Sequence, residues 1–371
     1  MTFLTSAALA VSLAAVPIPP IAEKAAPAAG MRAKPATRCT VTNGLLNEIS
    51  GLATDGGDGY VVMNDGADDP AGRRIFFLNS KCKIVKRVPY PTRPRDTEDL
   101  ARGADGTLWV GDIGDNNRTR DTIGVWRLKP GGKSPKLFRM SYPDGAHDAE
   151  ALLVGSDGVP IVVTKDPLSA GVYVPDGPLK DGATTPLRRA GDFSIPITAT
   201  SNPFGFKGRL VVTGGAVSPD GRRLVLRTYA DAFEFDVPEG QTDAAGLIET
   251  ISAGTSRTIA LPDEPQGEAI TYSADGTELL TISEMTGGAD RADLLGYPLG
   301  DREPIVAKET TEPAATETGA RTATTPETRA VRTGEENEPA TGVPTGALMA
   351  GGVLAVAATL IGLVTARRRR R

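Results

Sequence analysis

Acidic side chains recur in this chain at strand spacing, each time ahead of the same turn and the same kind of apolar run. Asp96 and Glu98 precede Leu100, the turn Asp105-Gly106, and Leu108-Trp109-Val110-Gly111-Asp112. Asp148 and Glu150 precede Asp157-Gly158 and Ile161-Val162-Val163. Gln266 and Glu268 precede Asp275-Gly276 and Leu279-Leu280. Weaker copies begin at Glu48 and Ser50, and at Thr213 and Gly215. Residues two apart on a strand share a face. Superposing the repeats therefore places Glu98, Glu150 and Glu268 at equivalent positions. Counting back through each hairpin brings Asp65 beside Ser50, Asp112 beside Glu98, Lys165 beside Glu150, Arg227 or Tyr229 beside Gly215, and Glu284 beside Glu268.

Three chemistries fit such a gathering. The acids can pair with Lys165, Arg227, Arg118 and neighbouring amides, as a network that holds elements together. They can bind Ca²⁺, which takes six to eight oxygen ligands. For that role Glu98 with Asp112, Asp115 and Asn116 is the best-placed set, because Ile113-Gly114-Asp115-Asn116-Asn117 is an oxygen-rich loop. Or a carboxylate acts as general base, with Lys165 and Arg227 holding an anionic group. The binding candidates are thus Glu98, Glu150, Glu268, Lys165 and Arg227. Gly-x-Ser-x-Gly and phosphate-loop motifs are absent from the sequence. His147, the one histidine, lies in the turn Tyr142-Pro143-Asp144-Gly145-Ala146-His147 and reads as a surface residue near the acids.

Positioning these residues requires a circular array. Counted from Ser50, the repeat starts fall about 48, 52, 65 and 53 residues apart, the period of a propeller blade built of short strands. The expected fold is an all-β propeller over residues 37–300, with five four-stranded blades, or six if Phe193 to Gly208 hides strands rather than forming a loop insertion. Arg38-Cys39-Thr40-Val41-Thr42 precedes the first repeat, and the last repeat lacks an obvious fourth strand. The leading segment is expected to supply that strand and close the ring. Cys39 and Cys82 are then expected on outer strands of adjoining blades. They read as a disulfide across the closure in an exported protein, with two buried free thiols as the alternative.

The remainder concerns address and partners. The 371 residues carry a formal charge of −5, against the basic patch expected of a nucleic-acid binder. Residues 1–30 read as a secretory signal with an Ala/Pro-rich spacer, although no Lys or Arg precedes the apolar run. Residues 301–345, rich in Thr, Glu, Ala and Pro, read as a disordered stalk. Residues 346–366 are uncharged and long enough to span a bilayer as a helix, and Arg367 to Arg371 place the C-terminus in the cytoplasm. Glu338-Pro339-Ala340-Thr341-Gly342 is similar to the Leu-Pro-x-Thr-Gly sorting signal of Gram-positive bacteria, with Glu338 in place of leucine. Covalent wall attachment and a plain membrane anchor both remain open.

Glu48-Ile49-Ser50-Gly51-Leu52, Asp96 to Ala101, Gly111 to Asn117 and Asp148 to Leu152 resemble an exported, membrane-anchored β-propeller family of high-GC Gram-positive bacteria. The strand starts are more distantly similar to TolB-like propellers and to calcium-dependent propeller phytases. That likeness implies a calcium-binding channel mouth and carries no catalytic residue across. The expected function is a cell-surface binding or scaffolding module for an extracellular ligand, protein or wall component, with Ca²⁺ as the cofactor the acidic mouth would take. A metal-dependent hydrolase of phosphoric or carboxylic esters is the alternative, and a purely structural surface protein is a third.

Overall fold

A computed structural model describes residues 35–300, apart from 67, 68 and 287. The expected signal, stalk, sorting motif and membrane helix lie outside the described residues. Among those residues, no helix is long and apolar enough to cross a membrane.

Alternating apolar runs and Asp-Gly or Gly-containing turns fold this region into antiparallel hairpins. The first set of strands is β1 (Ala36–Val41), β2 (Ile49–Thr54), β3 (Tyr60–Asn64), β4 (Arg74–Leu78) and β5 (Ile84–Pro89). Next come β6 (Asp99–Arg102), β7 (Leu108–Asp112), β8 (Ile123–Leu128) and β9 (Lys136–Ser141). They are followed by β10 (Ala149–Val154), β11 (Pro160–Thr164), β12 (Ser169–Pro175) and β13 (Thr184–Ser194). The chain continues through β14 (Gly214–Val217), β15 (Arg223–Arg227), β16 (Asp231–Asp236), helix α1 (Ala244–Ala253) and β17 (Arg257–Ala260). It ends in β18 (Gly267–Tyr272), β19 (Glu278–Ser283) and β20 (Ala292–Pro298).

Each run of four strands meanders in sequence order: β2 to β5, β6 to β9, β10 to β13 and β14 to β17. The last sheet has the order β1-β20-β19-β18, so the N-terminal strand forms its outer edge. This is the closure expected from the unpaired leading segment. Cys39 on β1 is disulfide-bonded to Cys82, with the Cα atoms 5.7 Å apart. Cys82 sits in the tight turn between β4 and β5 with φ of 56°, rather than on the outer strand itself.

The inner strands β2, β6, β10, β14 and β18 contact one another in that order, and β18 returns to β2. Hydrophobic clusters fill the spaces between neighbouring sheets. Ala53, Val61 and Met63 pack against Leu100, Val110 and Trp126, whereas Leu52, Val62 and Phe76 pack against Ala269, Leu280 and Ile282 across the closure. The outer strands β9 and β13 also pair in parallel through Thr184 to Pro186, which fuses two of the sheets into one of eight strands.

Two elements differ from the sequence expectation. Phe193 and Ser194, expected at the start of the inserted segment, belong to the end of β13, the longest strand among the described residues. Consequently the insertion begins after them. Helix α1 was not foreseen, because its ten residues carry few strong apolar positions. It is capped by Asp243, whose carboxylate accepts Gly246 N–H, and stopped by Gly254 in the left-handed region. Leu247, Ile248 and Ile251 cover β13 and β16.

Candidate functional site: a carboxylate ring in the channel

The inner strands are bulged where the acids stand. In β10, Ala149 pairs with Thr164 and Ala151 with Val163, so Glu150 is an extra residue without a partner. Glu268 in β18 and Ser50 in β2 occupy the same bulge position. At Glu98 the backbone N–H bonds Gly111 O, the carbonyl of the residue that Asp99 faces in the ladder. A bulge re-aims one side chain out of the alternating pattern. Four inner strands thereby carry the bulge at matching positions.

The result is a compact set of carboxylates. One oxygen each from Glu98, Glu150 and Glu268 lies within 4.8 Å of the others. Asp65, Asp96 and Glu98 form a second such trio within the same limit, sharing Glu98 with the first. Glu284, at the end of β19, abuts Glu268. Glu98, Glu150, Glu268 and Glu284 are buried. Lys165 donates to Glu150 Oε1 and lies 3.3 Å from the Tyr229 hydroxyl. Tyr229 in turn donates to Glu268 Oε1 at 3.3 Å, and Gln266 Nε2 donates to the same oxygen at 3.1 Å.

Within this set of six carboxylates Lys165 pairs with Glu150, and the Arg120 charge acts on Asp96. Their electrostatics follow. Burial pushes the Glu98 carboxyl well above the usual range, and the charges of Asp65, Glu150, Asp96 and Glu268 add to it. Burial raises Glu150 to about 8 although Lys165 pulls it down. Glu284 rises to about 10 through burial and the nearby Glu268 and Asp65. Asp65 is raised by burial and by Asp96. Desolvation opposes the Lys165 charge, yet Glu150 and the other anions hold its pKa well above the ordinary value. Buried oxygens without a hydrogen-bond partner remain on Asp65 (Oδ1), Glu150 (Oε2), Glu268 (Oε2) and Glu284 (Oε2). Such orphans are costly, and native structures keep few of them. A proton shared between neighbours or a bound cation would satisfy them.

The other residues singled out from sequence are placed differently. Asp112 is buried but fully engaged: its carboxylate accepts the N–H groups of Arg95 and Asp96, the Arg120 guanidinium at 2.9 Å and Trp126 Nε1 at 3.2 Å. Asp115 accepts Arg120 N–H at 2.7 Å, and Asn116 is exposed. The Asp112–Asn116 loop is therefore braced by Arg120, and its side chains stand outside both trios. Arg227 is wholly buried between sheets, donating to Glu264 Oε2 at 2.7 Å and Ala269 O at 3.0 Å. The hairpin count placed Arg227 or Tyr229 at one position, and Tyr229 is the one that reaches the acids. His147 lies between Asp144 and Asp166, 3.2 Å from each. A cavity of about 320 Å³ opens among Arg102, Ser156, Ser218 and Tyr272. Arg102 and Tyr272 end β6 and β18, and Ser156 and Ser218 follow β10 and β14, so this cavity lies toward the Asp-Gly turns, at the strand ends away from the carboxylates.

No family model matches the chain, and no curated protein matches it. Solved structures of similar build include a streptogramin B lyase, 16% identical over 67% of this chain with a TM-score of 0.32. The chain spans 65% of that lyase. A gluconolactonase from Xanthomonas campestris is 17% identical, with coverage of 67% of this chain and 72% of that one and a TM-score of 0.37. A PQQ-bound aldose sugar dehydrogenase from Streptomyces coelicolor is 12% identical over 72% of this chain and 99% of its own, also with a TM-score of 0.37. At these identities and scores, none of them carries an activity across to this chain.

Proposed function

We propose that this protein is a five-bladed β-propeller that holds a divalent cation, calcium first, in the carboxylate ring of its channel and uses that site to bind an extracytoplasmic ligand. The observation that carries the reading is the set of buried, unpartnered oxygens on Asp65, Glu150, Glu268 and Glu284, all beside the two carboxylate trios. Hard oxygen donors in this number suit Ca²⁺ rather than a softer metal. Asp65, Asp96, Glu98, Glu150, Glu268 and Glu284 would hold the ion. When bound, it would supply a Lewis-acidic attachment point for an anionic or hydroxyl-bearing ligand. Lys165 and Tyr229, joined at the rim, would orient that ligand by an ammonium charge and a hydroxyl. The five-blade reading is supported by the four sequential four-strand meanders and the fifth sheet, in which β1 completes β18 to β20.

Ester hydrolysis is a second reading, favoured by one observation. The Tyr229 hydroxyl stands between Lys165 and Glu268, where it could donate to a substrate oxygen held beside the cation. Display outside the cell on a stalk with a C-terminal anchor, wall-linked or membrane-held, is part of the proposal. It is supported by the apolar run 346–366 and the arginines that follow it.

Equilibrium dialysis with calcium tests the binding reading. Stoichiometric calcium retained by the protein, and lost in Glu98→Gln, supports it. No retention at millimolar calcium overturns it.

A further inference from the structure

Among the described residues, five large apolar side chains are exposed: Val85, Leu168, Ile197, Phe204 and Phe206. Four of the five belong to two loops that are bonded to each other. Leu168 N–H donates to Leu210 O, and Ile195 N–H donates to Leu168 O, both at 2.9 Å. Leu168 is also held at φ of 70°, in a region unfavourable to a branched side chain. The segment 195–210 is well anchored. Thr198 and Thr200 donate to the buried Asp231 carboxylate, and Arg209 donates to Thr200 O at 2.7 Å. Apolar side chains on a braced loop are held in water by the fold, and a concentrated exposed patch marks a contact site.

Phe204 joins this loop to the carboxylate ring. The Phe204 ring packs against the Tyr229 ring with centroids 4.3 Å apart. The Tyr229 hydroxyl touches Lys165 and Glu268. Lys165 itself lies three residues before Leu168. One wall of the mouth is thus apolar and aromatic, while its floor is charged.

From this juxtaposition we infer that the ligand is a small amphiphilic organic anion, whose acidic head meets the cation and Lys165 and whose ring or apolar part lies on Phe204, Phe206 and Ile197. The inference rests on the cation reading above and deepens it. Phe204 and Phe206 select the ligand, Phe204 from its place on the Tyr229 ring. The mixed site explains why the loop is both rigid and apolar at its tip.

Dansylglycine, which joins an aromatic ring system to a carboxylate, and dansylamide, which lacks the carboxylate, test it by fluorescence in calcium and in EDTA. The expected result is saturable dansylglycine binding in calcium, at least tenfold weaker in EDTA and at least tenfold weaker for dansylamide. The double variant Phe204→Ser, Phe206→Ser should lose about tenfold or more in dansylglycine affinity, as removal of a ring contact implies. Its calcium-induced melting shift should be unchanged. Dansylglycine binding that ignores both calcium and the double substitution overturns the inference while leaving the cation site standing. So does flotation with phosphatidylcholine vesicles that the double substitution abolishes, without calcium-dependent dansylglycine binding. No calcium shift in the unsubstituted protein overturns the cation reading, and the inference falls with it.

Discussion

The Asp99 carboxylate on β6 accepts the backbone N–H of Leu152 on β10 at 2.8 Å. Its same oxygen takes Gly215 N–H on β14 at 3.2 Å, and its other oxygen takes Leu100 N–H. One buried side chain therefore ties three inner strands together, at the level next to Glu98. Burial raises it to about 8 against the pull of those three amides. Asp99→Asn should cost about 1–3 kcal/mol, because an amide NH₂ would face donors and leave a buried group unmatched. Urea unfolding would measure this. An unchanged midpoint would show that the clamp is dispensable.

Among the described residues, Lys165 is the only cation in contact with the ring acids Glu150 and Glu268, directly and through Tyr229. Lys165→Met leaves Glu150 buried without its charge partner. Losing one member of a buried pair costs about 3 kcal/mol or more. Part of this should return in the double variant Lys165→Met, Glu150→Gln, a coupling that a double-mutant cycle resolves. Additive losses would separate the two residues.

Gly114 lies against the ring from the Arg120-braced loop. A methyl group there would come 2.0 Å from Glu98 Oε1 and 2.8 Å from Asp96 Oδ2. Both are ends of flexible side chains, so they would turn aside rather than unfold the protein. Gly114→Ala is expected to keep the fold, read by circular dichroism, while weakening calcium affinity about tenfold or more, since it displaces a ligand shared by both trios. Full calcium affinity would exclude Glu98 from the site.

The pH dependence has a definite sign. Asp65, Asp96, Glu98, Asp99, Glu150 and Glu284 all have folded-state values raised above those of the unfolded chain, with Glu150 and Asp99 at about 8 and Glu284 at about 10. Each holds its proton more tightly when folded. Their contribution is therefore full below about pH 4 and is lost as pH rises through the folded values. Asp105, Asp144, Asp220 and Asp275 are lowered, Asp275 to about 2, and lose their contribution as pH falls through those values. In EDTA, melting temperature should thus fall from about pH 5 to pH 9. Calcium needs the deprotonated ligands, so its stabilisation should grow over the same range. A calcium effect independent of pH would contradict the ring as the site.

The Cys39–Cys82 bond closes a loop with a sequence separation of 43 residues. It ties the edge strand β1 to the turn before β5. Loop entropy for that length gives about 4 kcal/mol. The variant Cys39→Ser, Cys82→Ser should unfold at correspondingly lower urea, and the β1 amides should exchange first. Equal stability with and without the bond would contradict a role in closure.

Much of this was legible in the residues. The Asp-Gly turns set the period, the unpaired segment around Cys39 marked the closure, and hairpin counting brought Asp65, Lys165, Tyr229 and Glu284 to the level of the acids. What the alternation rule could not supply were the bulges. A strict two-residue period treats Glu150 and Glu268 as ordinary ladder positions, whereas an extra residue re-aims them. Asp112 and Arg227 have suitable types and levels, but tertiary partners claim them. Arg120 and Trp126 take the first, and Glu264 takes the second. No local pattern announces a partner that lies in another strand or another sheet.

A divalent cation held by the channel carboxylates must stabilise the folded protein. Thermal melting of the protein across a calcium titration at pH 8, beside the variant Glu98→Gln, Glu268→Gln, tests it most directly. The melting temperature of the unsubstituted protein should rise with calcium, because an ion bound only by the native state stabilises it. No rise is expected in the variant, whose melting temperature in EDTA should match or exceed that of the unsubstituted protein as like charges are removed. A flat titration in the unsubstituted protein, or an equal rise in both, would contradict the cation site.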